Sequence, residues 1–162
     1  MNLYIRWGII AALLVLSVIL GREYTKYREQ RLRQMRAFGE LVLHIRGQVS
    51  RFLSPTRSLL DGFSSDELSR IGFTSEFERS RDLSAALEGA NTSLGEGYKK
   101  ILSEFFSGFG REYKDGEVAR ADHYIELLGR EEEREREESQ KSVKLTKTLL
   151  LASALALAIL LI

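Results

Sequence analysis

The chain has an uninterrupted apolar stretch at each end and a mixed apolar and polar pattern between them. Residues 7–21 have the sequence WGIIAALLVLSVILG and residues 148–162 have the sequence TLLLASALALAILLI, and neither contains a charge. A helix of fifteen such residues rises about 22 Å, whereas the hydrocarbon core of a bilayer is about 30 Å thick. Each stretch therefore needs flanking basic side chains whose charges can reach the headgroups, and Arg6, Lys144 and Lys147 are suitably placed.

This pattern predicts a transmembrane helix at the N-terminus, residues 1–21, and another at the C-terminus, residues 148–162. A cleaved secretory signal is the first alternative, but it needs a small-residue cleavage site where this chain has ILGRE. A removable C-terminal anchor signal needs a polar spacer, whereas here a charged helical pattern leads straight into the apolar tail. A buried core helix is the third alternative, and two such ends make membrane anchoring the better interpretation.

The segment between the two apolar ends has the periodicity of helices. Apolar residues recur at alternating spacings of three and four, which predicts a long helix over residues 22–53 continuing the first apolar stretch. These residues are Met35, Phe38, Val42, Ile45, Val49 and Phe52. Toward the N-terminus the same positions fall on Arg28 and Arg31, so we expect the seam to weaken there. No stretch alternates with a period of two, so the predicted fold class is all-α.

Capping residues divide the rest of the middle segment into shorter helices. Ser54-Pro55 predicts a restart, because serine caps a helix and proline suits its first position. Further starts are predicted where a Ser or Thr precedes an apolar run, twice with a Glu three residues on. The predicted helices run from Pro55 to Leu60, from Ser64 to about Gly72, from Thr74 or Ser75 to about Gly89, from Ser93 to about Gly108, and onward from Asp115.

The helix that follows Ser93 has the widest apolar face. Its members are Leu94, Tyr98, Ile101, Leu102, Phe105, Phe106 and Phe109, at helical spacings. The three phenylalanines, Phe105, Phe106 and Phe109, are a candidate hydrophobic core or a candidate partner-binding patch. Core packing is the better interpretation, since a wide apolar face normally packs inside a bundle.

Residues 130–138, with the sequence REEEREREE, are all charged. Arg and Glu at these spacings pair along a solvated helix face. The alternative is an acidic surface for a partner, for which the candidates are Glu131, Glu132, Glu133 and Glu135. A solvated helix between the bundle and the membrane is the better interpretation, and the partner surface is the alternative.

Charge and composition exclude several classes of function. Apart from Arg6, all formal charges lie in residues 22–147, where 23 basic residues balance 23 acidic ones, so no nucleic-acid interaction is expected. There is no Cys, which excludes disulfides and thiolate chemistry. Neither His44 nor His123 has metal-ligand spacing or a nucleophile nearby in sequence. We therefore expect no cofactor, no metal site and no enzymatic activity.

Basic residues beside the apolar ends predict the orientation in the membrane. Six follow the first stretch and six precede the second, whereas only Arg6 lies on the other side. They are Arg22, Lys26, Arg28, Arg31, Arg33 and Arg36, and then Arg130, Arg134, Arg136, Lys141, Lys144 and Lys147. Because short cytoplasmic flanks are enriched in Lys and Arg, residues 22–147 are predicted to be a cytoplasmic helical bundle.

Three stretches together resemble the stage III sporulation protein AB family of endospore-forming bacteria. They are ILGREYTKYREQRLRQMRAFGELVLHI, then FLSPTRSLL, and then ESQKSVKLTKTLLLASALALAILLI. The likeness lies in their order along the whole chain: a span entering a basic helix, a proline corner, and a Lys-rich helix entering a leucine-rich end. The chain departs from the family pattern at GFGREYKDGEVARADHY and at the Ala-Ser-Ala of its last stretch.

The resemblance implies a helical bundle similar to the F-type platform proteins of type II secretion machines. It also implies a non-catalytic platform or scaffold subunit of the channel complex between mother cell and forespore. Its partners would be the lipid bilayer, other subunits of that complex and a cytoplasmic secretion-type ATPase. Its location would be the mother-cell side of the outer forespore membrane.

Two other classes of function are weighed against this one. A membrane-tethered helical scaffold or sensor of another system would keep the anchors and the bundle without the sporulation context. A membrane-bound enzyme would need a reactive constellation of polar residues, and the sequence offers no candidate. Oligomeric state is not predicted.

Overall fold

The structure is a computed structural model that describes residues 3–51, 60–111 and 113–161. Within these residues the chain forms six α-helices and no strand, so the predicted all-α class is confirmed. The helices are α1 (Leu3–Arg51), α2 (Asp66–Arg70), α3 (Phe73–Ser80), α4 (Leu83–Gly89), α5 (Glu96–Gly108) and α6 (Lys114–Leu161). The predicted short helix from Pro55 to Leu60 falls almost wholly outside the described residues, as does Phe52 of the apolar seam.

The chain divides into two compact units. Unit 1 consists of Met1–Gln30 with Glu135–Ile162, and unit 2 consists of Arg31–Arg134. The first and last helices are each continuous through a unit boundary, as expected from the unbroken helical periodicity on either side. Each unit is held together by a different set of contacts.

Unit 2 has an aromatic core. Phe38 of α1 meets Phe73 of α3 edge to face at 5.2 Å between ring centres, a favourable aromatic geometry. Phe105 lies 5.7 Å from Phe106 and 5.5 Å from Tyr124 by the same measure. The apolar seam predicted for α1 is buried here at Met35, Phe38, Val42 and Ile45, with Val49 partly buried.

Several predicted helix starts are displaced by one to three residues. The cap of α2 is Ser65 rather than Ser64, and its hydroxyl accepts the backbone N–H of Leu68 at 3.4 Å. Helix α3 begins after Gly72, which has the left-handed φ of 82° that glycine adopts without steric cost. Helix α5 begins after Gly95 and not at Ser93, and the backbone N–H of Ser93 donates to the side-chain oxygen of Gln34 at 2.7 Å.

The single helical segment predicted between Thr74 and Gly89 is two helices, α3 and α4. The break lies at Arg81, a non-glycine residue with φ of 55°, whose backbone N–H donates to the carbonyl of Phe77. Asp82 then caps α4 by accepting the backbone N–H of Ala85 at 2.9 Å. The turn lets both Phe77 and Leu83 reach the core, which one straight helix would not guarantee.

Polar contacts position α5 within unit 2. The Tyr98 hydroxyl donates to the carbonyl of Met35 at 2.5 Å, and burial raises the pKa of Tyr98 well above its usual range. At the other end of α5, the Arg120 guanidinium donates to the carbonyls of Glu104 and Phe105. It thereby satisfies carbonyls that a helix end leaves without partners.

Candidate functional site

In unit 1, the apolar ends of α1 and α6 lie against each other. A Cβ atom at Gly21 would be 3.8 Å from both Leu150 and Lys147, which is ordinary van der Waals contact. The small residue Ala154 is 3% exposed, so this part of α6 also contributes to the contact.

Many large apolar side chains of unit 1 nevertheless remain exposed. Val15 is 59% exposed, Leu149 67% and Ile159 74%. Others with about half or more of their surface exposed are Leu16, Val18, Ile19, Leu20, Leu145, Leu151 and Leu155. A contiguous apolar surface of this kind marks a protein or membrane interaction site.

Among the described residues, no helical stretch combines the length and the apolar character that crossing a bilayer requires. The transmembrane helices expected over residues 1–21 and 148–162 therefore stay predictions. Their helical conformation is observed over the described parts of both segments.

A groove of about 350 Å³ lies between α1 and α6 on the surface of unit 1. Its walls are mostly apolar, and two basic residues, Arg22 and Lys147, belong to its lining. The complete lining is Leu14, Ser17, Val18, Gly21, Arg22, Lys147, Leu150 and Leu151. Among the described residues, neither basic side chain has an ion-pair partner.

A partly buried ion pair joins α1 to α6 in the same unit. Nη1 of Arg28 lies 2.5 Å from Oε1 of Glu135, with the two side chains 17% and 9% exposed. Nε and Nη2 of the same guanidinium donate to the Tyr24 hydroxyl at 3.2 and 3.1 Å. The hydrogen bond from Arg28 lowers the pKa of Tyr24, more than burial raises it.

This ion pair defines the axial register of the two helices in unit 1. A shift by one residue of either helix would remove one charge from its partner while both stay shielded from water. Breaking a buried pair costs more than its formation stabilises, because the remaining charge is uncompensated. The arrangement therefore discriminates against other registers, and this role was not evident from the sequence.

The four acidic candidates of α6 have different environments. Glu135 is buried in the pair with Arg28. Glu132 is partly exposed and accepts Nε of Arg36 at 3.0 Å within unit 2, and Glu131 pairs with Arg134 one turn along α6. Only Glu133 is classed as exposed among the four. The accessible part of the acidic segment is thus smaller than its sequence suggests.

The three phenylalanines of the candidate core or patch lie together in unit 2. Phe105 is completely buried and Phe106 is 5% exposed, while Phe109 is partly buried against the same core. The Arg120 guanidinium lies over the ring of Phe105, 5.8 Å from its centre. The first two side chains therefore offer almost no surface to a partner.

The described residues contain no group of three or more His, Cys, Asp or Glu side chains that could hold a metal ion. His44 packs against the ring of Phe63 at 5.2 Å between ring centres, and its Nε2 is 3.4 Å from the Gln48 amide nitrogen. His123 is exposed beside Tyr124. Both histidines thus have surroundings that need no catalytic explanation.

Comparison with known proteins supplies the context for this geometry. No curated protein and no solved structure matches the chain. The family model described as stage III sporulation protein AB matches residues 6–162, which is nearly the whole chain. The chain therefore belongs to the stage III sporulation protein AB family.

Proposed function

We propose that this protein is a non-catalytic platform subunit of the channel complex that links mother cell and forespore during sporulation. Family membership supplies the sporulation context. The observation that supports a membrane-anchored subunit is the pair of apolar helix ends in unit 1, which expose large side chains although they pack together. A surface of this kind suits a bilayer better than water.

In this proposal, residues 1–21 and 148–162 are two membrane anchors and residues 22–147 form the cytoplasmic bundle. Each anchor is short, and the flanking basic side chains extend it by placing their charges among the headgroups. The ion pair between Arg28 and Glu135 then holds the two helices in one register beside the membrane. The basic flanks favour the cytoplasm, on the mother-cell side, for the bundle.

The acidic segment of α6 is the proposed docking surface for a secretion-type ATPase. Because Glu135 is buried against Arg28, the proposed surface consists of Glu131, Glu132 and Glu133. Glu133 is exposed and Glu131 and Glu132 are partly exposed, and the attraction of such carboxylates for a basic partner is screened over about 10 Å at 0.1 M salt. Phe105 and Phe106 are assigned to the core rather than to any interface.

A reporter fusion tests the membrane topology. A reporter that is active only outside the cytoplasm, inserted after the exposed Gly89, should give no activity in a sporulating cell. The same reporter placed ahead of Met1 should be active, which shows that the reporter is functional. Activity at Gly89 would reverse the orientation, and a full chain that leaves the membrane in alkaline carbonate would end the anchoring proposal.

A pull-down tests the docking surface. The triple variant Glu131→Gln, Glu132→Gln and Glu133→Gln should bind the ATPase less well than wild type, with the larger loss at low salt. Glu76, Glu78 and Glu88, which lie on α3 and α4 of unit 2, supply a matched triple Gln control. Equal binding by wild type and the α6 variant at both salt concentrations would move the docking surface elsewhere.

A further inference from the structure

We propose that the groove between α1 and α6 in unit 1 binds an anionic phospholipid. One acyl chain occupies the apolar part of the groove, and Arg22 and Lys147 hold the phosphate of the headgroup. The inference rests on the membrane anchoring proposed above and goes beyond it, because anchoring by itself requires no lipid of a particular charge.

The chemistry of the lining carries the inference. Leu14, Val18, Leu150 and Leu151 supply apolar walls, so the interior of the groove suits a hydrocarbon chain. Arg22 directly follows the uncharged stretch of α1, and Lys147 directly precedes that of α6. Both cations thus line the groove at the edge of the apolar stretches, which is the level where a lipid chain ends and its phosphate begins.

The two cations are also available for an anion. Neighbouring basic side chains of α1 are engaged, since Lys26 pairs with Glu23 at 2.7 Å and Arg28 pairs with Glu135. Arg22 and Lys147 have no such partner among the described residues, although they line the same groove. Basic pockets between helices on the cytoplasmic side are where anionic headgroups bind.

The size of the groove favours a lipid chain over a helix of another subunit. Its volume of about 350 Å³ lies in the range of pockets for small molecules, about 300–1,000 Å³. A helix with its side chains is about 10–12 Å across and would need a longer and wider surface. A second copy of the chain is therefore an outcome of the test and not the proposed occupant.

Native mass spectrometry of the full chain in detergent tests the proposal. The probes are phosphatidylglycerol, phosphatidylcholine with the same acyl chains, and glycerol phosphate, which has the charge without a chain. Wild type should retain one phosphatidylglycerol in preference to the other two. The double variant Arg22→Gln with Lys147→Gln should lose that preference by roughly 20-fold or more, at about fivefold for each basic residue.

Matched variants distinguish lipid binding in the groove from nonspecific attraction of anionic lipid to basic side chains. Lys26→Gln with Lys144→Gln removes two cations near the same level that do not line the groove, and should retain the lipid as wild type does. Val18→Phe fills the groove and should abolish retention of the chain. Ile19→Phe adds the same ring at an exposed position outside the lining and should have no effect.

Four results would overturn the proposal. They are equal retention of both phospholipids by wild type, unchanged retention by the Arg22 and Lys147 variant, equally tight binding of glycerol phosphate, and a dimer that excludes lipid. If the chain stays in carbonate-washed membranes but shows one of these results, only the lipid site fails. If it is extracted by carbonate, the anchoring proposal fails as well, so the two failures are distinguishable.

Discussion

In unit 2 buried side chains from all six helices share one core, whereas in unit 1 two helical segments pack together and, among the described residues, leave many large apolar side chains about half exposed or more. The largest fully buried residues, such as Phe38 and Phe105, belong to unit 2. The contact between the two helices of unit 1 includes the small residues Gly21 and Ala154 and the ion pair of Arg28 and Glu135. In the part of the chain that the structure describes, unit 2 thus buries most of its large apolar side chains in its own core, whereas the exposed apolar side chains of unit 1 need another surface to cover them.

The two units also differ in what specifies how their helices pack. The shapes of its close-packed side chains specify the packing of an aromatic core, so a substitution that changes side-chain volume there lowers stability. Two helices with apolar, similar side chains could slide past each other, and a shielded charge pair then sets the register. The following substitutions test this contrast, beginning with the largest expected effect.

Phe105→Ala should destabilise unit 2 most. The side chain is completely buried, so its removal should leave a cavity and lower the free energy of unfolding by about 3–5 kcal/mol. Chemical unfolding of the full chain in detergent, followed by circular dichroism, measures this change. Tyr113→Ala is the control, since Tyr113 is 94% exposed and its loss should change stability by less than about 0.5 kcal/mol. A similar small change for Phe105→Ala would mean that the aromatic cluster is not the core.

Arg28→Leu should destabilise unit 1 by about 2–3 kcal/mol, at the low end for buried pairs because both partners keep some exposure. Hydrogen exchange of amides in residues 14–30 should accelerate accordingly. The double variant Arg28→Leu with Glu135→Leu should recover most of the protection, since neither charge of the pair then remains in the shielded contact. Lys26→Gln, which breaks an exposed pair, should have less effect. If the double variant is as unprotected as the single one, the pair is not what sets the register.

Tyr98→Phe should lower the stability of unit 2 by about 1 kcal/mol, because the carbonyl of Met35 loses a buried hydrogen bond. Burial raises the pKa of Tyr98, so the neutral phenol is favoured in the folded state. The resulting stabilisation is complete below the unfolded pKa of about 10 and is lost as the pH rises above it toward the folded pKa. The difference in free energy of unfolding between wild type and Tyr98→Phe, measured by urea unfolding, should therefore disappear between about pH 9 and pH 11. If the free energies of unfolding of the two proteins changed with pH in the same way, the pKa of Tyr98 would not be raised by burial.

The triple change of Glu131, Glu132 and Glu133 to Gln should have the smallest effect on stability. Their ion pairs are partly or largely exposed, and such pairs contribute about 0–1 kcal/mol each. Urea unfolding should place the triple variant closer to wild type than Arg28→Leu. If the triple variant lost more stability than Arg28→Leu, the exposed ion pairs of unit 2 would contribute more to stability than the buried ion pair of unit 1, contrary to this comparison.

The helical periodicity and the family were accessible from the sequence. The alternating three and four spacing of Met35, Phe38, Val42 and Ile45 predicted a buried face of α1, and that face is buried. The face of α5 was also correctly located, because apolar residues on one side of a helix have few alternatives to a core. Helix starts were less accurate, since neighbouring Ser and Thr residues compete as caps and since Gly72 and Gly95 take the cap positions of α3 and α5.

The all-α class, two long helices with apolar ends and the absence of cysteine chemistry were predictable, because they follow from local periodicity and composition. The contact of Arg28 with Glu135, more than one hundred residues later, was not predictable. Arg28 lies where the apolar seam was expected to weaken, and it is the packing of α1 against α6 that gives it a partner. The same packing places Arg22 and Lys147 in the lining of one groove. Charge pairing across two distant helices depends on their register, and register is a property of packing that no local pattern contains.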